Sequence, residues 1–128
     1  MRAARIYFLV GLLALLADQG LKFYVRHSFI EHQANGWPWP GVFELTLVYN
    51  LGIAFGMMKG LSQIFTPVAL LISILAYRYC QSHPREPRFV VVAAGLLSAG
   101  AIGNMIDRVF LGKVTDMLWL RIIDFPVF

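Results

Sequence analysis

Most of the chemistry this sequence can offer sits in one polar string at the end of a hydrophobic run. The run Phe89 to Ala101 leads into Gly103-Asn104-Met105-Ile106-Asp107-Arg108, and Val114-Thr115-Asp116 follows shortly after. Ionisable groups persist at the end of an apolar span where they have partners or work. Asn104 and Asp107 are three apart and so share a helical face. Arg108 can grip a carboxylate or a carbonyl through two parallel hydrogen bonds. Asp116 stands nine residues past Asp107 among apolar neighbours, which would raise its pKa by desolvation. Two carboxylates that share one proton activate water without a metal: the ionised one takes a proton from the water and the protonated one polarises the scissile carbonyl. Asp18, Asp107, Asp116 and Asp124 all fall on one side of the topology derived below, and spacing alone does not choose a pair among them. The plain structural alternative is a polar helix end that anchors a span at the interface.

Two further strings carry polar groups. In Asp18-Gln19-Gly20-Leu21-Lys22 the carboxylate and the ammonium are four apart on one helical face and can pair, as a structural ion pair or as part of a site. In Val48-Tyr49-Asn50-Leu51-Gly52-Ile53-Ala54-Phe55-Gly56, Asn50 can both donate and accept, while Gly52 and Gly56 permit close backbone approach. Such a segment could hold an extended peptide through its main chain, or be an ordinary turn after a strand.

These residues must be positioned by elements suited to lipid. Of 128 residues, 59% are apolar and 14% charged, against about 25% charged in a soluble domain. One domain, 1–128, is expected. The single cysteine, Cys80, excludes an intrachain disulfide, and His27, His32 and His83 are too scattered to form a metal site. The net charge of +4 is dispersed, without the basic, aromatic-interleaved face that nucleic acid requires. Three apolar runs, about residues 6–25, 64–79 and 89–106, approach the roughly 20 residues needed to cross a bilayer. The first follows Arg2 and Arg5 but offers no small-residue cleavage site, so it is read as a retained span. The short segments, the N-terminus with Arg2 and Arg5 and the link with Arg78, Arg85 and Arg88, are basic and belong in the cytoplasm. Residues 27–62 and 107–128 then face outward. Within them Gly36-Trp37-Pro38-Trp39-Pro40-Gly41 breaks any helix, the Trp pair suits the headgroup layer, and residues 42–49 predict a short strand or hairpin. The fold class is an all-α polytopic membrane protein with three transmembrane helices and a small extracytoplasmic β element.

Asp18-Gln19-x-x-Lys22, Val48-x-Asn50-x-Gly52-x-Ala54-Phe55-Gly56, Gly103-Asn104-x-x-Asp107-Arg108 and Val114-x-Asp116, in that order, resemble lipoprotein signal peptidase (signal peptidase II) of bacteria along the whole chain. The resemblance implies an aspartyl endopeptidase of the inner membrane with four transmembrane helices and no metal or cofactor. It would remove the signal peptide from diacylglyceryl-modified prolipoproteins by cutting before the lipid-modified cysteine. It implies Asp116 as one catalytic carboxylate, with Thr115 and Met117 where the family carries Val and Phe. Asn50, Gly52, Asn104, Asp107 and Arg108 are implied to line or order the site, with Asp18 and Lys22 as motif positions. The family's second carboxylate belongs to an Asn-x-Ala-Asp motif opening a fourth span. The sequence ends at Asp124-Phe125-Pro126-Val127-Phe128, so a C-terminally truncated member, inactive by itself, is expected. Asp124 precedes the Phe-Pro-Val-Phe string in what resembles the family's loop. The chain is read as a monomer whose partners are prolipoprotein substrates and membrane lipid. Two rivals are a small transporter or proton-relay subunit, using Asp18 and Asp107 as carriers, and a non-catalytic membrane scaffold. The gathering of polar residues at span ends rather than midspan favours surface chemistry.

Overall fold

The structure, a computed structural model, describes residues 2–51 and 64–128. Gly52, expected to line the site, lies outside the described residues, as do Ala54, Phe55 and Gly56. The elements in chain order are α1 (Arg2–Ser28), β1 (Pro38–Trp39), β2 (Phe43–Asn50), α2 (Phe65–Ser82), α3 (Arg88–Leu111), β3 (Val114–Leu120) and a 3-10 turn at Arg121–Ile123. The chain is mostly helical with a small three-stranded sheet. Among the described residues, α1 and α3 are long and apolar enough to cross a membrane. The run expected at 64–79 is the 18-residue α2, in which Pro67 occupies the first turn, where its missing N–H costs nothing. The chain divides into two compact units, Met1–Gln19 with Ile64–Ile106 and Gly20–Gln63 with Asp107–Phe128.

In the first unit the buried core is Ala3, Tyr7, Cys80 and Val91, with Ile6, Ala76, Tyr77 and Ala94 packed against it. A tyrosine hydroxyl among apolar helices needs a partner. That of Tyr7 lies 2.7 Å from Ser98 Oγ and 3.0 Å from the Ser73 carbonyl oxygen. Phe8, Leu13, Leu16, Leu71, Leu75 and Leu97 are exposed, an apolar surface that suits lipid rather than water. Helices α1 and α3 come close where glycine meets glycine: a Cβ on Gly95 would lie 2.9 Å from the Tyr7 carbonyl oxygen and 3.3 Å from the Gly11 nitrogen. Gly95→Ala is therefore expected to cost about 1–3 kcal/mol through overpacking. Gly100→Ala, where a Cβ meets nothing within 4 Å, is expected to be neutral or mildly stabilising. Thermal unfolding of both variants in detergent checks the contrast.

The second unit holds the end of α1 and the antiparallel sheet, ordered β1-β2-β3. Residues Lys22, Val25, Arg26 and Phe29 recur at helical spacing, so they share one face of α1 and its exit. Val25 is fully buried against Leu47 of β2 and Met117 of β3, with Leu21, Phe29, Tyr49 and Leu118 around them. β2 covers almost the whole stretch in which a strand was expected. β3 is an element that the sequence does not predict, because Val114-Thr115-Asp116 reads there as a motif alone. β2 and β3 pair Val48 with Asp116, Tyr49 with Thr115 and Asn50 with Val114, after a register irregularity between Leu45 and Val48. β3 is the last strand of the sheet, and its outer edge is occupied: Met117 and Leu118 donate to the Phe128 main-chain oxygen, and Phe128 donates to Leu118. Such cover removes an open ladder.

The turn between β1 and β2 is fastened by Glu44, whose side chain is almost wholly buried. Its carboxylate accepts the N–H of Gly41 at 2.7 Å, the N–H of Gly36 at 3.1 Å and Arg121 Nη1 at 2.8 Å. Gly36 and Gly41 take φ of +70° and +75°, which a side chain would resist. The Gly41 N–H, aided by Arg121 and the Gly36 N–H and opposed by burial, holds the Glu44 carboxyl below the ordinary glutamate value of 4.5. A carboxylate with a depressed folded pKa contributes stability above its unfolded pKa and loses it as pH falls through the folded one. The stability difference between the wild type and Glu44→Gln is accordingly expected to be full near neutrality and to shrink below about pH 4.5. Parallel acid titrations of unfolding check this.

Candidate functional site

Asp116 lies on β3, and alternation along the strand sets its side chain on the same face as Val114, opposite to that of Thr115. Asn50 stands across from Val114 and so is the diagonal neighbour of Asp116 on one face. Its Nδ2 donates to Asp116 Oδ2 at 2.9 Å. Burial pushes the Asp116 carboxyl above the ordinary aspartate value of 3.8, and the nearby Asp107 charge adds to the push. The Asn50 hydrogen bond and the charges of Lys22 and Arg108 pull in the opposite direction. A half-buried carboxyl that keeps its proton above the usual range is suited to trading protons with water and substrate.

Asp107, near the end of α3, is 1% exposed and is gripped from α1. Lys22 Nζ lies 3.2 Å from its Oδ2 and Arg26 Nη1 3.5 Å from its Oδ1. The Thr115 N–H donates to Asp107 Oδ2 at 2.9 Å, and Arg26 Nη1 donates to Thr115 Oγ1 at 3.0 Å. The carboxylate thus joins helix end to strand, one residue before Asp116. It is spent on this work, with two cations and a backbone N–H around it.

The second unit therefore gathers Lys22, Asn50, Asp107, Arg108 and Asp116. Lys22, which spacing offers to Asp18, reaches Asp107. Asp18 and Asn104 belong to the first unit. There Gln19 Nε2 donates to Asp18 Oδ2 at 2.9 Å and to the Gly103 carbonyl oxygen at 3.2 Å. A Cβ on Gly103 would collide with the Asp18 carboxylate, so this glycine is required by close approach. Asp124 sits exposed just after the 3-10 turn with φ +48°. Among the described residues no group of three His, Cys, Asp or Glu side chains is placed to hold a metal. Sequence reasoning missed Arg26 and Thr115. The available signals were the helical spacing of Arg26 from Lys22, and a hydroxyl at 115 where the resembling family has valine.

Residues 10–128 match the family model described as "Signal peptidase (SPase) II". A Gloeobacter violaceus protein named "Lipoprotein signal peptidase" is 38% identical over 122 residues, covering 95% of this chain and 70% of that protein. One of the same name from Moorella thermoacetica is 38% identical over 126 residues, covering 95% and 79%. Among solved structures, one described as "Bacterial membrane enzyme structure by the in meso method at 2.3 A resolution" matches with a TM-score of 0.84 and 29% identity. That match covers 95% of this chain and 75% of that one. With residues 10–128 matched by the family model, and relatives more than a third identical over the aligned residues, this chain belongs to the signal peptidase II family.

Proposed function

We propose that Asp116 is one of two catalytic carboxylates of a membrane aspartyl endopeptidase that removes the signal peptide from diacylglyceryl-modified prolipoproteins. The family relationship supports the reaction class. The observation that carries the residue is the half-buried Asp116 carboxyl, held through one oxygen by Asn50 and kept above its ordinary pKa by desolvation. Water activated by one carboxylate attacks the carbonyl before the lipid-modified cysteine, and the protonated partner polarises that carbonyl. Asp107 does not fill the second role, because its oxygens hold Lys22, Arg26 and the Thr115 N–H. In the family the partner carboxylate belongs to an Asn-x-Ala-Asp motif, a string that residues 1–128 do not contain.

In this reading three helices cross the inner membrane, the N-terminus is cytoplasmic and the sheet extracytoplasmic, and the scissile bond lies at the outer headgroups while the substrate's acyl chains stay in the bilayer. Asn50 orients Asp116, Arg108 supplies positive charge nearby, and Asp18 and Asn104 are supporting residues. The enzyme works as a monomer in the inner membrane. The test is cleavage of a synthetic diacylglyceryl prolipoprotein peptide. The full-length protein is expected to cut before the modified cysteine, and a polypeptide restricted to residues 1–128 is expected not to cut. Normal cleavage by the restricted polypeptide would remove the need for a second carboxylate beyond it.

A further inference from the structure

The ring of contacts behind Asp116 uses two side chains that no motif covers. Arg26 Nη1 reaches Asp107 Oδ1 at 3.5 Å and donates to Thr115 Oγ1 at 3.0 Å, and the Thr115 N–H returns to Asp107 Oδ2 at 2.9 Å. Three residues from α1, α3 and β3 thus close a cycle through both the main chain and the side chain of residue 115. Thr115 is 2% exposed and Arg26 largely covered, so water competes poorly for these contacts, and the two shorter ones, at 2.9 and 3.0 Å, each have one charged partner. β3 is the sheet's last strand, and here its outward N–H meets a carboxylate instead of another strand.

We propose that Arg26 and Thr115 are positioning residues for the reaction: they lock β3 from the face opposite the carboxylate and so fix where Asp116 points. The inference rests on Asp116 being catalytic. Strand alternation gives it its force, because residue 115 cannot shift or rotate without carrying 116 with it. Asn50 fixes the carboxylate from the front, and the Arg26–Asp107–Thr115 cycle fixes its backbone from behind. Valine at 115 would keep the Asp107 link to the main chain but remove the hydroxyl that brings in Arg26. Asp107 would then keep Lys22 at 3.2 Å, so the strand would lose one of two restraints without losing the fold.

The test uses the full-length protein and the diacylglyceryl peptide, with Thr115→Val, Thr115→Ser, Arg26→Met, the double variant Thr115→Val with Arg26→Met, and Asp116→Asn. Thr115→Val and Arg26→Met are each expected to lower kcat about tenfold, the scale on which small misplacements of a reacting group act, with KM within about twofold. Thr115→Ser, which restores the hydroxyl, is expected to recover most of the loss. The double variant is expected to be no slower than the worse single one, since both break the same bond. Unchanged kcat in Thr115→Val, a loss that serine does not recover, or a loss confined to KM overturns the proposal. Asp116→Asn separates the two readings: if it still cleaves, the catalytic assignment fails. If it is dead while Thr115→Val runs at full speed, only the positioning role fails. Hydrogen exchange at the Thr115 amide, read without substrate, gives a result whatever the turnover. It is expected to quicken in Thr115→Val and Arg26→Met, and wild-type protection in both variants overturns the lock.

Discussion

Asp116→Asn in the full-length protein is expected to lower kcat on a lipid-modified prolipoprotein peptide by about 10²–10⁴-fold, the range spanned by a single positioned acid or base. The substitution is nearly isosteric. It leaves an oxygen to accept from Asn50 Nδ2, now 2.9 Å from Asp116 Oδ2, and removes the capacity to take up or release a proton. Binding through the acyl chains is untouched, so the loss belongs in kcat. The pH profile adds a signed test. Burial already holds the Asp116 carboxyl above its ordinary value of 3.8, and the Asn50 hydrogen bond works against that rise. Asn50→Leu takes away this lowering contribution. The carboxyl then keeps its proton to still higher pH, and the acid limb of the kcat profile is expected to move upward. A limb that stays in place or moves down would show that another group sets it. The charged neighbours that share the field, Lys22, Arg108 and Asp107, are unchanged in that variant.

Asp107→Ala is expected to produce the largest loss of stability, about 3–5 kcal/mol, the cost of breaking a buried pair and leaving its partner behind. Lys22 is 3% exposed at its side chain and would lose its contact with Asp107 at 3.2 Å. Arg26 would lose its contact with Asp107, and the Thr115 N–H would lose the carboxylate it donates to. Removing both charges in a Lys22→Met, Asp107→Leu protein is expected to cost less than Asp107→Ala alone, because the buried ammonium goes with the carboxylate that faces it. Thermal unfolding in detergent compares the two. The ordering, rather than either value, decides the matter.

The helices were legible because hydropathy is a local property: the apolar runs near 6–25 and 89–106 lie within α1 and α3, and 64–79 falls almost wholly in α2, although among the described residues only α1 and α3 are long and apolar enough to cross a membrane. β2 was legible from its β-branched and aromatic residues. β3 was hidden by its own motif, since Val114-Thr115-Asp116 read as chemistry before it read as structure. The candidate carboxylate at 116 could be named, but its surroundings could not. Arg26 is 89 residues from Thr115 and 81 from Asp107, and nothing in either neighbourhood announces the other. The role of Glu44 has no mark in the sequence, because its partners Gly36, Gly41 and Arg121 meet only once the hairpin has closed.

The return of Phe128 to the edge of β3 has a topological consequence. Its main chain is bonded both ways with Leu118 and also accepts from Met117, so the chain that leaves β3 at Leu120 turns through the 3-10 turn and comes back to the edge of the strand that carries Asp116. Such a loop can absorb change at its tip while its neck stays put. Residues inserted between Ile123 and Phe125, both exposed, would lengthen the excursion without displacing the carboxylate at its root. That stretch offers a graft point for a spectroscopic reporter close to the chemistry.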